Sequence, residues 1–367
     1  MTDCQFQRGS VLVMVVFVVS IIVALSVRFT SDFQLTVARI EQHMIHTQLQ
    51  QYLHSVENFA SWVLIEDAKK DDSNGHFKSN GAGGNYDHLQ EEWNSLLHTP
   101  IETATISAKL TDALSYFNVN QLLGRPQGYN PNGVFSQRFT VAQKRFVRLL
   151  QTHPDDLVDS ILAQQITDAV VDWIDSDNTI SGIGGAESYY TTLKPPYRAA
   201  NQLFISVTEL RQVRGITPEI YDYLKTVVVA LPNTVGININ TALPAVMRSL
   251  NQKDTETPLS KEDVDILVAS RPPPRGESDD NEAINHTIDG YTSVDDFFKS
   301  DGAQRVFGGE VGLLPPKEGL RTGSEYFILE AEATLLDYQR QQTSMLKREM
   351  VATGFKVRVL RRAREQL

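Results

Sequence analysis

The residues best suited to binding a ligand are side-chain oxygens that follow a predicted helix in the middle of the chain. Asp175, Asp177 and Asn178 place three oxygen donors at close spacing. Asp172 precedes them on the helix, and a glycine-rich stretch returns the chain to Glu187. Hard oxygen ligands on a turning backbone suit Ca²⁺, which takes about six to eight of them. The spacing departs from that of an EF-hand loop, and acids that are merely solvated at a helix end are the alternative.

Two other groups of polar residues have the types that bind metals. Asp279, Asp280 and Glu282 follow a proline-rich segment, and we interpret them as a solvated loop, with a second calcium site as the alternative. His43 and His46 are spaced to share one helix face. Because no carboxylate lies one turn further on, we interpret both histidines as exposed polar residues.

Motifs of covalent or metal-dependent catalysis are absent from the sequence. It holds no Gly-x-Ser-x-Gly elbow, no His-Glu-x-x-His pair and no Cys/His pair. Its one cysteine, Cys4, cannot form an internal disulfide. We therefore expect no catalytic residue, no enzymatic activity and no small-molecule substrate.

The charge balance argues against binding of nucleic acid. Aspartate and glutamate total 45 against 34 lysines and arginines, which gives a formal net charge of −11. An acidic surface repels phosphates, which proteins bind through clustered cations. Residues 210–218 resemble a helix-hairpin-helix turn, but acidic residues surround it. We therefore predict that this turn packs helices rather than binds DNA.

The elements that must position these groups begin with a long N-terminal helix. Residues 10–27 carry no charge, and as a helix they span about 27 Å, close to the ~30 Å hydrocarbon core of a bilayer. Apolar residues then recur at helical spacing to about Ile65, and no proline interrupts residues 10–97. The pattern predicts one helix of about 55 residues, lipid-facing at one end and core-packing at the other.

Three interpretations of this N-terminus compete. It is a cleaved secretory signal peptide, an uncleaved signal anchor, or a prepilin-type signal that is cut before the apolar run, just after Gly9. Unrelated sequence usually follows a cleaved signal peptide. The continuing helical periodicity therefore favours the prepilin-type signal.

The pattern of the remaining residues predicts an α+β fold. Its sheet is split in sequence, which means that its strands come from two separate parts of the chain. Residues 101–117 alternate in part and predict one or two strands, and 326–335 alternate clearly. A polar turn at 337–342 and strands at 344–351 and 355–360 complete an antiparallel meander. Between these regions lie six predicted helices, at 141–151, 155–173, 207–213, 218–230, 243–250 and 260–269. An α-helical domain is therefore predicted to be inserted in the sheet.

Two charged segments are predicted to be solvated. Residues 67–85 are rich in Lys, Asp, Asn and Gly and predict a mobile surface loop. Arg361, Arg362 and Arg364 form a basic tail that we interpret as solvated.

A weak internal repeat links two parts of the helical region. Residues 116–123 resemble 236–243, and 204–210 resemble 291–297. Each pair brackets predicted helices, which indicates two related units.

Two motifs resemble a known family. Arg8-Gly9 before an apolar segment that begins at Ser10 is similar to the prepilin peptidase site of type IV pilins and pseudopilins. Most of these proteins carry glutamate where this sequence has Met14, and its absence is typical of the K-type minor pseudopilin of type II secretion (general secretion pathway protein K family). The segments 172–187 and 196–201 closely resemble the K-type signature.

The resemblance implies processing, a cofactor and a domain plan. It implies cleavage between Gly9 and Ser10, methylation of the new amino group of Ser10, and structural Ca²⁺ in the helical domain. The implied fold is pilin-like, with the long helix packed on the antiparallel sheet. The implied segments are a leader (1–9), a transmembrane segment (10–27), the helix with the first part of the α/β domain (28–120), the inserted helical domain with its calcium loop (121–310) and the C-terminal strands (311–367).

The resemblance also implies partners and a location. The partners are minor pseudopilins of the I and J types in a ternary tip complex, other pseudopilins and the inner-membrane assembly platform. The implied function is to start assembly of the pseudopilus for export of folded proteins. The chain is expected to cross the inner membrane once, with its soluble domain in the periplasm. The alternative is a signal-anchored periplasmic hydrolase or binding protein.

Overall fold

A computed structural model describes most of the chain. The described residues are 7–73, 86–95, 97–101, 104–176, 180–182, 187–272, 290–308, 314–352 and 354–363. They belong to two compact units. The first comprises Met1–Ser55, His98–Ser107 and Glu332–Arg340, and the second comprises Val56–Leu97, Ala108–Ala331 and Gln341–Leu367.

The N-terminal helix, α1 (Gln7–Ser73), is 67 residues long and therefore longer than predicted. Its buried apolar residues recur every three or four positions, as one helix face requires. They are Leu49, Leu53, Val56, Ala60, Leu64 and Ala68. The prediction of a loop from residue 67 was wrong for residues 67–73, which are helical, because Asp67, Ala68 and Asp71 continue the buried face. Residues 74–85 lie outside the described residues.

The strands and the other helices follow in chain order. The described strands are β1 (Leu97–Ile101), β2 (Ala104–Asp112), β3 (Phe117–Asn118), β4 (Val228–Val229), β5 (Ile237–Asn238), β6 (Leu320–Arg321), β7 (Tyr326–Leu335), β8 (Tyr338–Val351) and β9 (Gly354–Ala363). The described helices after α1 are α2 (Phe135–Arg138), α3 (Val141–Leu150), α4 (Ser160–Ile174), α5 (Glu187–Thr191), α6 (Pro218–Leu224), α7 (Pro244–Arg248), α8 (Lys261–Ala269), α9 (Val294–Lys299) and α10 (Asp301–Phe307). Short 3₁₀ helices cover Glu92–Asn94, Ala113–Ser115, Val119–Leu122 and Val207–Gln212.

The main sheet has five strands in the order β1-β2-β7-β8-β9. β2 and β7 are neighbours, although helices α2–α10 lie between them in sequence. The sheet is therefore split in sequence as predicted. β8 and β9 pair antiparallel from Val351↔Gly354 to Thr343↔Ala363.

The predicted polar turn at 337–342 was too long. Only Leu336 and Asp337 form the turn, and β8 already begins at Tyr338. Leu336 has a φ of 54°, and positive φ values are what two-residue hairpin turns require. The turn needs only two residues because Leu336 adopts a positive φ. The sequence does not predict this conformation for an apolar residue.

Arg362 is exposed, as predicted, and it also pairs with a buried carboxylate. Within the second unit, its Nε and Nη2 atoms lie 2.9 Å from Oε1 and Oε2 of Glu57 on α1. Ser344 and Gln342 of β8 also donate to Glu57, which is buried. Residues 56–73 of α1 therefore pack on β8 and β9 partly through a bidentate ion pair.

The helical region matches the predicted helices best where their ends are capped. α3 begins after Thr140, whose side chain forms a capping box with Gln143. α4 begins later than predicted because Asp159 caps it, accepting from the N–H of Leu162 at 2.8 Å. The helix predicted at 218–230 ends at Leu224, and part of the remaining segment forms β4.

The internal repeat has matching hydrogen bonds. Asn120 donates to the carbonyl of Phe204 at 3.0 Å and accepts from its N–H at 2.8 Å. Asn240 donates to the carbonyl of Tyr291 at 3.0 Å and accepts from its N–H at 2.8 Å. Each asparagine follows a short strand in a parallel pair, β3 with β4 and β5 with β6. In both repeats, therefore, the asparagine of one repeated segment makes the same two hydrogen bonds to the backbone of the other repeated segment.

Candidate functional site

The acidic turn predicted to bind calcium follows α4. Asp172 lies in the last turn of this helix, and Asp175 is its C-cap residue. Both side chains are buried. Asp177 and Asn178 lie outside the described residues, and Glu187 begins α5 with its side chain not described. The structure thus brings two of the five predicted ligands to one end of α4.

Asp172 has an oxygen that is available to a cation. Its Oδ1 atom accepts from the N–H of Ser181 at 2.8 Å. Its Oδ2 atom is buried and has no hydrogen-bond partner among the described residues. Burial raises the pKa of Asp172 to about 6, although hydrogen bonding to Ser181 opposes the shift. A buried carboxylate oxygen without a donor fits a metal ligand.

Ion pairs and a glycine hold the described residues on either side of residues 177–179. Nη2 of Arg138 lies 2.7 Å from Oδ2 of Asp168, one turn before Asp172. Gly182 follows with a φ of +56°, and a Cβ atom there would lie 2.3 Å from the same Asp168 oxygen. Only glycine fits this close approach without displacing the ion pair. Nη2 of Arg125 lies 3.4 Å from Oδ2 of Asp175.

Three aromatic rings support the base of the turn. Trp173 packs edge-on against Tyr190, with ring centroids 5.3 Å apart, and the rings of Tyr190 and Tyr197 are 5.4 Å apart. The N–H of Asn201 donates to the carbonyl of Trp173 at 2.9 Å. These contacts join the segment 196–201 to the end of α4.

The second acidic segment is not tested by the structure, whereas the two histidines are exposed as predicted. Asp279, Asp280 and Glu282 lie outside the described residues. His43 and His46 are exposed, and the ring of His46 contacts that of Tyr338 at 5.9 Å. The turn at 210–218 places Gly215 with a φ of +87° against Ile166 of α4, which is a packing contact.

The start of α1 holds the predicted processing site. The backbone of Gly9 and Ser10 lies in the first turn of this helix. From Val11 to Val27 every side chain is exposed. Among the described residues, α1 is the one helix that is long and apolar enough to cross a membrane, and a signal sequence would meet the same criteria.

A second acidic group was not predicted. Asp67, Asp87 and Glu91 each offer an oxygen within 4.8 Å of the others. We missed this group because we assigned residues 67–85 to a loop. The spacing of Asp67 and Asp71, four residues apart and in phase with the buried face of α1, was the signal that could have revealed it.

Comparison with known proteins decides the family. The chain is 31% identical over 248 residues to "Type II secretion system protein K" of Aeromonas hydrophila, covering 66% of this chain and 70% of the relative. The chain belongs to the type II secretion system protein K family. A family model described as "Type II secretion system (T2SS), protein K" matches residues 115–233. The resemblance drawn from the sequence is therefore confirmed, and the protein is a minor pseudopilin.

Other members of the protein K family match along nearly the whole chain. The protein K of Pseudomonas aeruginosa is 27% identical over 360 residues, covering 97% of this chain and 92% of the relative. The fold is also similar to a chain in the crystal structure of the GspK–GspI–GspJ complex from enterotoxigenic Escherichia coli. That match has a TM-score of 0.64 and 22% identity, and it covers 89% of this chain and 98% of that one. The similarity supports the fold.

Proposed function

We propose that this protein K family member forms the tip of the type II secretion pseudopilus with minor pseudopilins of the I and J types, and that it starts pseudopilus assembly for export of folded proteins. Other pseudopilins and the inner-membrane assembly platform complete its set of partners. The similar chain of known structure comes from a complex named GspK–GspI–GspJ, which supports the choice of partners. The family assignment favours this function over a periplasmic hydrolase or binding protein.

The observation that carries the proposal is the division of α1 into two parts. From Val11 to Val27 the helix exposes apolar side chains on every side, whereas from Leu49 to Ala68 it buries a single face. A helix that is apolar all round suits lipid or a bundle of like helices. The first part can therefore enter the membrane and contact other pseudopilin helices, while the second part belongs to the head.

The direct test is the position and number of copies of this chain in the pseudopilus. A tagged, functional full-length chain should co-purify with the I- and J-type subunits in equal amounts. Labels on the tag should mark one end of the fibre. Labels along the whole fibre, or normal export from cells that lack the chain, would contradict the tip function.

The proposed processing follows from the N-terminal motif. Cleavage between Gly9 and Ser10 and methylation of Ser10 would leave an anchor that begins at the apolar run and crosses the inner membrane once, with the head in the periplasm. Mass spectrometry of the native N-terminus tests this. A mature chain that begins near Val27 would instead indicate a cleaved secretory signal.

Met14→Glu is expected to weaken tip assembly and secretion. Met14 lies in the apolar part of α1, where an unpaired carboxylate is unfavourable. The cost on translocon-based scales is about 2.5–3.5 kcal/mol at the centre of a spanning helix and smaller towards its ends. A subunit with no neighbour stacked above it has no amine to pair with that carboxylate. The measurement is the exported fraction of a type II substrate, with Met14→Leu as the control. Full export by Met14→Glu would show that the carboxylate finds a partner and that the tip position is wrong.

Calcium bound at the turn after α4 is the second part of the proposal. Asp172 and Asp175 would hold the ion together with Asp177, Asn178 and Glu187. The buried Oδ2 atom of Asp172, which has no partner among the described side chains, supports this. Bound Ca²⁺ would neutralise the acids and make the turn rigid.

Asp172→Asn is expected to lower the calcium affinity about tenfold or more, because affinity depends on the number of charged ligands. Isothermal titration of the detergent-solubilised full-length chain measures it. Asp222→Asn is the matched control, since the side chain of Asp222 is 64% exposed and pairs with Lys225 at the surface. Equal affinities of the two variants would contradict a calcium site that includes Asp172.

A further inference from the structure

Four carboxylates surround one arginine at the end of α1, within the second unit. Asp67 and Asp71 lie on the last turns of α1, Asp87 and Glu91 lie in the segment 86–95, and Arg348 lies on β8. We call these five residues the Arg348 cluster. All are buried except Glu91, which is partly buried. The cluster is separate from the turn after α4.

Arg348 satisfies only part of this negative charge. Its Nη1 atom lies 2.7 Å from Oδ2 of Asp67, and its Nη2 atom pairs with Oδ1 of Asp87. The other oxygen of Asp87 accepts from the N–H of Ser324 at 2.5 Å. Each oxygen of Asp87 therefore has one partner and keeps a lone pair, and the contacts with β8 and the segment before β7 hold its side chain in position.

The carboxylates outnumber the cations around them. Among the described residues, four carboxylates face the guanidinium of Arg348. Nε2 of His88, 3.3 Å from Oε1 of Glu91, can add one positive charge. Lys70, which pairs with Glu92, adds another near Asp67. Buried charge without a counter-charge is strongly unfavourable. An additional cation would balance the cluster.

Asp71 provides a second and independent indication of a ligand. Its side chain is 9% exposed, and its Oδ2 atom has no hydrogen-bond partner in the described part of the chain. It lies four residues after Asp67, so both carboxylates project from one face of α1. A buried oxygen of this kind needs a partner outside the described chain, such as an ordered water or a bound ion.

The distances fit one metal ion. One oxygen each from Asp67, Asp87 and Glu91 lies within 4.8 Å of the other two. Two oxygens that bind one Ca²⁺ at about 2.4 Å are at most about 4.8 Å apart, so the three can share an ion. An all-carboxylate set favours Ca²⁺ over metals that prefer nitrogen or sulfur.

We propose that Asp67, Asp87 and Glu91, with Asp71 as a further ligand, bind a calcium ion beside Arg348. The ion joins the end of α1 to the segment 86–95. Arg348 joins the same residues to β8. This site stabilises the head domain and is independent of tip assembly and of the calcium site at Asp172.

Terbium luminescence can locate the ion, because Tb³⁺ replaces Ca²⁺ and is sensitised by a nearby tryptophan. Nε1 of Trp93 donates to Oε2 of Glu91, so Trp93 is next to the proposed ion. Trp173 is next to the other proposed site. The full-length chain with Trp173→Phe should retain sensitised emission that Ca²⁺ displaces, and adding Trp93→Phe should remove most of it. Emission that is absent with Trp173→Phe alone, or unchanged by adding Trp93→Phe, would overturn the proposal.

Ligand variants give a second readout in the Trp173→Phe background. Glu91→Gln and Asp71→Asn should each weaken Tb³⁺ binding about tenfold or more, because each removes one charged ligand. Glu92→Gln is the matched control, since the neighbouring Glu92 side chain is 80% exposed. Equal binding by Glu91→Gln and Glu92→Gln would overturn the assignment. If the ligand variants fail to fold, the tryptophan comparison decides, because it leaves every carboxylate in place.

Discussion

Replacing Arg348 with methionine is expected to lower the free energy of unfolding by about 3–5 kcal/mol, because the substitution leaves buried carboxylates without their counter-charge. The Arg348 side chain is 4% exposed, and that of Asp87 is fully buried. Methionine preserves much of the side-chain volume, so the loss reports mainly on charge. Chemical denaturation of the full-length chain in detergent, with a chelator present, measures the change without bound metal.

Arg358→Met is the matched control for this prediction. Arg358 lies on the neighbouring strand β9, its side chain is 60% exposed, and its nearest carboxylate oxygen, on Glu349, is 3.6 Å away. Such surface pairs contribute about 0–1 kcal/mol. Similar losses in the two variants would show that the Arg348 ion pairs contribute no more than a surface pair.

Asp112→Ala is expected to destabilise the head by about 3 kcal/mol or more, because it leaves several buried donors without an acceptor. Asp112 is 1% exposed. It accepts from the N–H of Leu114 at 2.7 Å, from Nδ2 of Asn238 at 2.9 Å and from Oγ of Ser324 at 2.6 Å. Its position at the end of β2 thus joins the sheet to the helical region.

The measurement for Asp112→Ala is again the free energy of unfolding, compared with Asp222→Ala. Asp222 is exposed, so its loss should change stability by no more than about 0.5 kcal/mol. Asp112→Asn keeps the shape of the side chain and should recover part of the loss. An Asp112→Ala variant as stable as Asp222→Ala would show that water replaces the lost acceptor.

Local patterns predicted much of the fold. The alternation of 326–335 predicted β7 as the structure has it, and the apolar spacing predicted α1 although not its end. Short apolar runs were less reliable, because a run such as 226–230 suits a helix or a buried strand equally. Tertiary pairing then made β4 at Val228–Val229.

Long-range charge pairing could not be predicted from local pattern. Glu57 and Arg362 are 305 residues apart in sequence, so nothing near either one shows that they meet. The same holds for Asp67 and Arg348. Charged residues in a polar stretch predict solvation, and only the folded structure shows that Glu57, Asp67 and Arg348 are buried. For the turn after α4, composition indicated the oxygen ligands, and the structure added the buried position of Asp172.

The hydrogen bond between Asp112 and Ser324 has a consequence for how members of this family can differ. These residues stand at the two ends of the segment between β2 and β7, so that segment leaves the sheet and re-enters it at nearly the same point. An inserted segment whose two ends lie side by side leaves the order of the sheet strands unchanged, whatever the length of the insertion. The helical region between β2 and β7 can therefore differ in size and shape between family members while the sheet keeps its strand order.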